Sequence, residues 1–136
     1  MIQRYLGKIS GPLLDRIDLH IEVPAVPYQE LRGKENGTGS AAMRARVEAA
    51  HVIQRARGFY NFAIPTRQLR KLSALDDAGE RTLEMAVRRM GLSARAHDRI
   101  LRVARTIADL DTSDRISAKH LAEAVQYRSL DRNYWQ

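Results

Sequence analysis

The chain contains no cysteine. That excludes disulfides and thiolate metal sites, and it fits a reducing compartment such as the cytoplasm. Aromatic residues make up 6% of the 136 positions, too few to suggest a row of base-stacking platforms. No apolar run approaches the roughly 20 residues that span a bilayer, so no membrane partner is expected. Arg4 and Lys8 flank no apolar stretch, so no signal peptide is read at the N-terminus. The phosphate-cradling loop G-x-x-x-x-G-K-[ST] is also missing. Gly7-Lys8 and Gly33-Lys34 are followed by Ile9 and Glu35, and Tyr28 takes the earlier glycine position of the second pair. Backbone amides arranged around a triphosphate are therefore not supplied, and the chain alone is not expected to hydrolyse nucleotide. The four histidines, His20, His51, His97 and His120, stand singly. None has a metal-ligand spacing with a carboxylate, so no metal site is read, and no nucleophile triad can be argued.

What the chain does have is positive charge, unevenly spread. The net charge is +7. Residues 1–74 carry 12 Lys/Arg against 6 Asp/Glu, and residues 75–136 carry 11 against 10. Most of the excess falls between Arg44 and Lys71, where Arg44, Arg46, Arg55, Arg57, Arg67, Arg70 and Lys71 face only Glu48. Such a stretch is either a solvated face or a surface that attracts a polyanion, DNA among them.

Two kinds of periodicity follow each other along the chain. Gly11-Pro12 can open a short helix, with Leu13, Leu14 and Asp15 completing it. Ile17, Leu19, Ile21 and Val23 then alternate with Asp18, His20 and Glu22, which predicts a strand over 17–23 with one buried face. Pro24 and Pro27 end it. A strand needs a sheet, and no other segment can supply one. The chain therefore reads as the C-terminal piece of a larger protein, with residues 1–38 expected to be poorly ordered on their own. Residues 33–40, G-K-E-N-G-T-G-S, form a linker.

From Ser40 onward the pattern is helical. Small and aliphatic residues at 42, 45, 49, 52, 53 and 56 predict one buried stripe over Ser40–Arg57, with Arg44, His51 and Arg55 on another face and Gly58 as the stop. Pro65 can open a short helix bearing Leu69 and Leu72. Asp76 or Asp77 can cap a helix with Leu83, Ala86, Val87 and Met90 inside, ended by Gly91. Ser93 caps a long helix reaching about Asp111, with Ile100, Val103, Ala104, Ile107 and Leu110 inward. Ser117 caps the last one, and Ile116 with Leu121 sit at the two positions of a hydrophobic staple. The fold class is all-α: a four- to five-helix bundle over 41–128, followed by a frayed tail at 129–136.

Two arginines carry candidate chemistry. Arg16 sits where the short helix meets the predicted strand, a joint that would aim a rigid cationic fork away from its own subunit. Arg95 is the second residue after the Ser93 cap, where a cation opposes the helix dipole and a bound phosphate would relieve the conflict. On these patterns alone, a solvent-facing arginine is the favoured reading of both.

The stretch Y-L-G-K-I-S-G-P-L-L-D-R-I-D-L-H-I-E-V-P at 5–24 resembles the magnesium-chelatase-like AAA+ ATPases of the ComM/YifB type. So do R-A-R-V-E-A-A-H-V-I-Q-R-A-R at 44–57, G-L-S-A-R-A-H-D-R-I-L-R-V-A-R-T-I-A-D-L at 91–110 and H-L-A-E-A-V-Q-Y-R at 120–128. The resemblance implies that residues 1–32 end an AAA+ core and that the helices form its lid. Arg16 then falls on the family's arginine finger, acting in trans on a neighbour's ATP, and Arg95 on the sensor-2 arginine, acting in cis. It also implies ATP and Mg2+ in the full-length protein, a homo-oligomeric ring, hexameric in the family, and DNA processing such as branch migration in natural transformation. The alternatives are a helical DNA-binding module using the Arg44–Lys71 face, or a protein-interaction bundle with no nucleotide role.

Overall fold

Local punctuation sets the helix ends. The computed structural model describes residues 9–33 and 37–128, and the expected tail at 129–136 and part of the 33–40 linker lie outside them. Five α-helices and one 3-10 turn lie between Ser40 and Gln126: α3 (Ser40–Arg57), the turn Asn61–Ala63, α4 (Thr66–Leu72), α5 (Asp77–Met90), α6 (Ala94–Leu110) and α7 (Ala118–Gln126). They are preceded by α1 (Gly11–Leu14) and α2 (Tyr28–Leu31).

Gly58 and Gly91 close α3 and α5 at φ 94° and 59°, a left-handed geometry that a β-carbon disfavours. Asp76 and Ser93 accept the N–H groups of Gly79 and Ala96, three residues on, and so satisfy amides that a helix start leaves without carbonyls. At α7 the cap is reciprocal: the Ser117 side chain caps the third-residue amide, and the His120 side chain returns to the Ser117 N–H. Ile116 and Leu121, the staple pair, are both buried.

The core lies around α6. Ile100, Leu101, Ala104 and Ala108 from α6 meet Leu121 and Ala124 of α7, Leu83 of α5, Leu69 of α4, and Ile64 and Ile116 from the loops. Burial of each large aliphatic side chain contributes about 1.5–3 kcal/mol, and that is what holds short helices which would be marginal alone. All regular structure among the described residues is helical, as the periodicity from Ser40 onward predicts.

Two expected buried faces are corrected. At 17–23 no ladder forms, as follows for a strand with no second strand to pair with, and these residues run without regular hydrogen bonding. Ile17, Leu19, Ile21 and Val23 stay exposed, while His20 from the polar side of the alternation is buried. The pattern is that of a strand, but a strand exists only when a second one satisfies its backbone. Here the segment is held from the side. The His20 N–H donates to the Tyr127 carbonyl at 2.7 Å, Arg128 donates to the Ile17 carbonyl, and Arg99 pairs with Asp18.

The second correction concerns α3. Of the stripe 42, 45, 49, 52, 53 and 56, only Ile53 is even partly covered. The covered side of α3 is Ala50, Gln54 and Arg57 instead, with Gln54 bonded to the 3-10 turn and Arg57 to Asp109 of α6, and it is largely polar.

Candidate functional site

Asp15 ends α1, and its carboxylate reaches the start of α6. Oδ1 accepts the Ser93 hydroxyl proton at 2.8 Å, while the same hydroxyl oxygen accepts the Ala96 N–H at 3.1 Å. The cap residue of the central helix thus also anchors the N-terminal arm. Oδ2 lies 3.7 Å from Arg95 Nη1, and the Arg95 side chain is 57% exposed. An ion pair this long and this wet is worth little, so Arg95 is held loosely. Around it opens a cleft of about 480 Å³ between α1 and the α5–α6 corner, lined by Pro12, Leu14, Asp15, Leu92, Ser93 and Arg95 among others. That volume falls within the range of small-molecule sites.

Arg16 follows Asp15 directly, yet it does not line the cleft. It is exposed, and its side chain makes no hydrogen bond or ion pair among the described residues. The structure thus brings Arg95 to the cleft and leaves Arg16 outside it. Leu14 is what fixes this division. It is buried, so α1 is anchored from below and the two residues after it project at a fixed joint.

The basic residues of 44–71 divide in the same way. Arg44, Arg46, Arg55, Arg67, Arg70 and Lys71 are exposed. Arg57 leaves the group, because its guanidinium turns inward to Asp109, at 2.5 Å from Nη2 and 3.1 Å from Nη1. Asp109 is fully buried. It also accepts Asn61 Nδ2 at 2.8 Å and Arg105 Nε at 3.1 Å. Arg105 in turn donates to the carbonyls of Ser113 and Asp114. Burial pulls the Arg105 guanidinium below its ordinary value, and Asp109 opposes that shift. This polar cluster welds α3 to α6, and the Arg57 guanidinium is engaged in it.

Sequence reasoning missed Asp15. Its only signal was its place beside Arg16, since its hydrogen-bond partner Ser93 lies 78 residues away. Among the described residues no group of three or more His, Cys, Asp or Glu side chains could hold a metal ion, and no helix is long and apolar enough to cross a membrane.

Residues 37–128 match the family model for magnesium chelatase, subunit ChlI C-terminal, and residues 1–31 match that for magnesium chelatase, subunit ChlI. The chain is 44% identical over 131 residues to the uncharacterized protein YifB of Salmonella typhimurium. It is 43% identical over 133 residues to the competence protein ComM of Haemophilus influenzae, and 42% identical over 131 residues to YifB of Escherichia coli. These alignments cover 95%, 96% and 95% of this chain but 26% of each relative, so the chain spans about a quarter of their length. The chain therefore belongs to the magnesium chelatase ChlI family, and its helices α3 to α7 fall in that family's C-terminal domain.

Proposed function

We propose that this chain is the nucleotide-sensing part of a ring-forming AAA+ ATPase, with Arg95 and Arg16 serving two different ATP sites. One observation supports the reading: Arg95 sits loosely held in a cleft of ligand size, while Arg16, next in sequence to the cleft-lining Asp15, has an exposed side chain with no partner among the described residues. A residue completing its own subunit's site must line that subunit's cleft. A residue completing a neighbour's must not.

The chemistry follows from charge. ATP hydrolysis spreads negative charge over the oxygens of the transferred phosphoryl group. When bound in the full-length protein, Mg2+ neutralises part of it. Arg95 would leave its long contact with Asp15 and place its planar fork on the phosphate of its own subunit. The N-terminus of α6 adds a partial positive charge behind it. Arg16 would enter a neighbour's site, where an arginine finger contributes a factor of about 10³–10⁵ in turnover. Ser93 makes this event mechanical. It holds the arm and caps α6 at once, so a shift of Arg95 alters the contact between the arm and the helical domain. DNA is the proposed substrate of the motor, cytoplasm its proposed compartment, and identical subunits its partners. The relation to a competence protein supports the first of these.

The test is to place Arg16→Ala and Arg95→Ala separately in the full-length protein. Both should lower ATP turnover at least about 100-fold with the fold intact. Arg95→Ala should also weaken nucleotide binding by the isolated subunit, and Arg16→Ala should not. Wild-type turnover in either variant overturns the assignment.

A further inference from the structure

The nucleotide reading leaves unused a pair of rings on the outside of the helical domain. Phe62 is 81% exposed, and Tyr60 stacks on it with centroids 5.9 Å apart and planes 8° from parallel. Lone exposed apolar residues are ordinary on a protein surface, and two features set this one apart.

The first is that the loop presenting the ring is pinned. Asn61, between the two rings, is buried. Its N–H donates to Gln54 Oε1 at 3.0 Å, its side-chain amide donates to Thr106 Oγ1 and Asp109 Oδ2, and its carbonyl accepts Arg102 Nη1 at 2.9 Å. Every polar group of Asn61 is thus engaged, and the phenyl ring is thrust outward from a rigid base. A loose loop would fold such a ring back onto the apolar surface beside it.

The second is the charge around it. His51 meets Tyr60 edge-on at 5.2 Å and 75°, so that face of α3 adjoins the rings. Arg44 and Arg55 share the face, two turns before and one turn after His51. Arg67 follows on α4. All three are exposed, and none has an acidic partner among the described residues.

The geometry points to a binding site for single-stranded nucleic acid, one base stacking on Phe62 and adjacent phosphates lying on Arg44, Arg55 and Arg67. A flat ring offers affinity to any base face, and exposed arginines on the adjoining helix face suit a strand that alternates bases with charge. A duplex buries its base faces in its own stack, so the ring would be idle against it. A protein partner would call for a broader apolar patch than two rings set among arginines. The site shares no residue with the Arg95 cleft and does not depend on nucleotide.

The test is fluorescence anisotropy with this chain and no ATP, on labelled oligo(dT), an abasic strand of equal phosphate number, and a duplex. Phe62→Ala should weaken oligo(dT) binding by roughly 5- to 150-fold, with the slope against log salt unchanged and the abasic strand and duplex scarcely affected. Phe62→Trp should retain binding. Arg55→Ala and Arg67→Ala should each flatten the salt slope by about 0.7. Phe62 supports no core contact, so circular dichroism of the variant should match wild type. Failure of the chain to bind oligo(dT) at low salt would overturn the proposal, as would equal affinity of Phe62→Ala and wild type. Binding by this chain that is absent from the full-length protein would also overturn it, and would make the ring a packing contact with the rest of that protein.

Discussion

Removing the Asp109 carboxylate should strongly destabilise the helical domain. Asp109 is fully buried and stands between two guanidiniums: Arg57, 16% exposed in its side chain, and Arg105, 3% exposed. Substitution by Ala leaves both positive charges without their carboxylate and takes away one acceptor of Asn61. Arg57 can partly swing to water. Arg105 keeps the Ser113 and Asp114 carbonyls, but these do not neutralise a charge. Breaking a buried pair in this way costs about 3–5 kcal/mol. A domain of this size has only about 5–13 kcal/mol in total, so Tm should fall by at least about 12 °C. Arg57→Met should cost less, about 1–3 kcal/mol, because Asp109 still holds Arg105 and Asn61. The double variant should cost less than the sum, since the two changes remove one interaction. Urea titration followed by far-UV circular dichroism reads all three. A loss below about 1 kcal/mol for Asp109→Ala would refute the view that this cluster welds α3 to α6.

Two further outcomes follow from other carboxylates. If Asp15 competes with phosphate for Arg95, Asp15→Asn in the full-length protein should tighten nucleotide binding by no more than about fivefold, the worth of an exposed pair. Weakened binding would mean that Asp15 orients Arg95 instead. Hydrogen bonds from Lys119 and then His120 hold the Asp111 carboxyl below its ordinary value of 3.8. A depressed folded-state pKa contributes stability above the unfolded value that is lost as pH falls through the folded one. Asp111→Asn should therefore lower the urea midpoint at neutral pH and leave it unchanged in strong acid. An equal deficit at both pH values would contradict this origin.

What could be read in the sequence was what is decided locally. The caps Asp76, Ser93 and Ser117, the stops Gly58 and Gly91, and the Ile116–Leu121 staple all act within a few residues, so their residue types suffice to place them. The inner face of α3 was misread for a reason of chemistry. Counting apolar residues finds Ala42, Ala45 and Val52, but α3 is held by Gln54 and Arg57 against partners on the 3-10 turn and α6. A polar contact leaves no apolar period. The alternation at 17–23 was real, yet strand formation is a property of two segments and only one is described. Arg16 and Arg95 could be named from their places at a joint and a cap. Asp15, whose carboxylate reaches Ser93 and Arg95, becomes visible only when residues 78 apart meet. Tyr60 and Phe62 were passed over because composition counts aromatics without showing that Asn61 would anchor two of them outward.

The division of Arg16 and Arg95 between neighbouring subunits is tested most directly by mixing. Full-length protein carrying Arg16→Ala and full-length protein carrying Arg95→Ala should each be nearly inactive alone. In a random ring made from equal amounts, about a quarter of the interfaces pair an intact Arg95 with an intact Arg16 from next door. Steady-state ATP turnover of the mixture should recover toward that fraction of wild type. A mixture no more active than its parts would contradict the claim that the two arginines serve one site from two subunits.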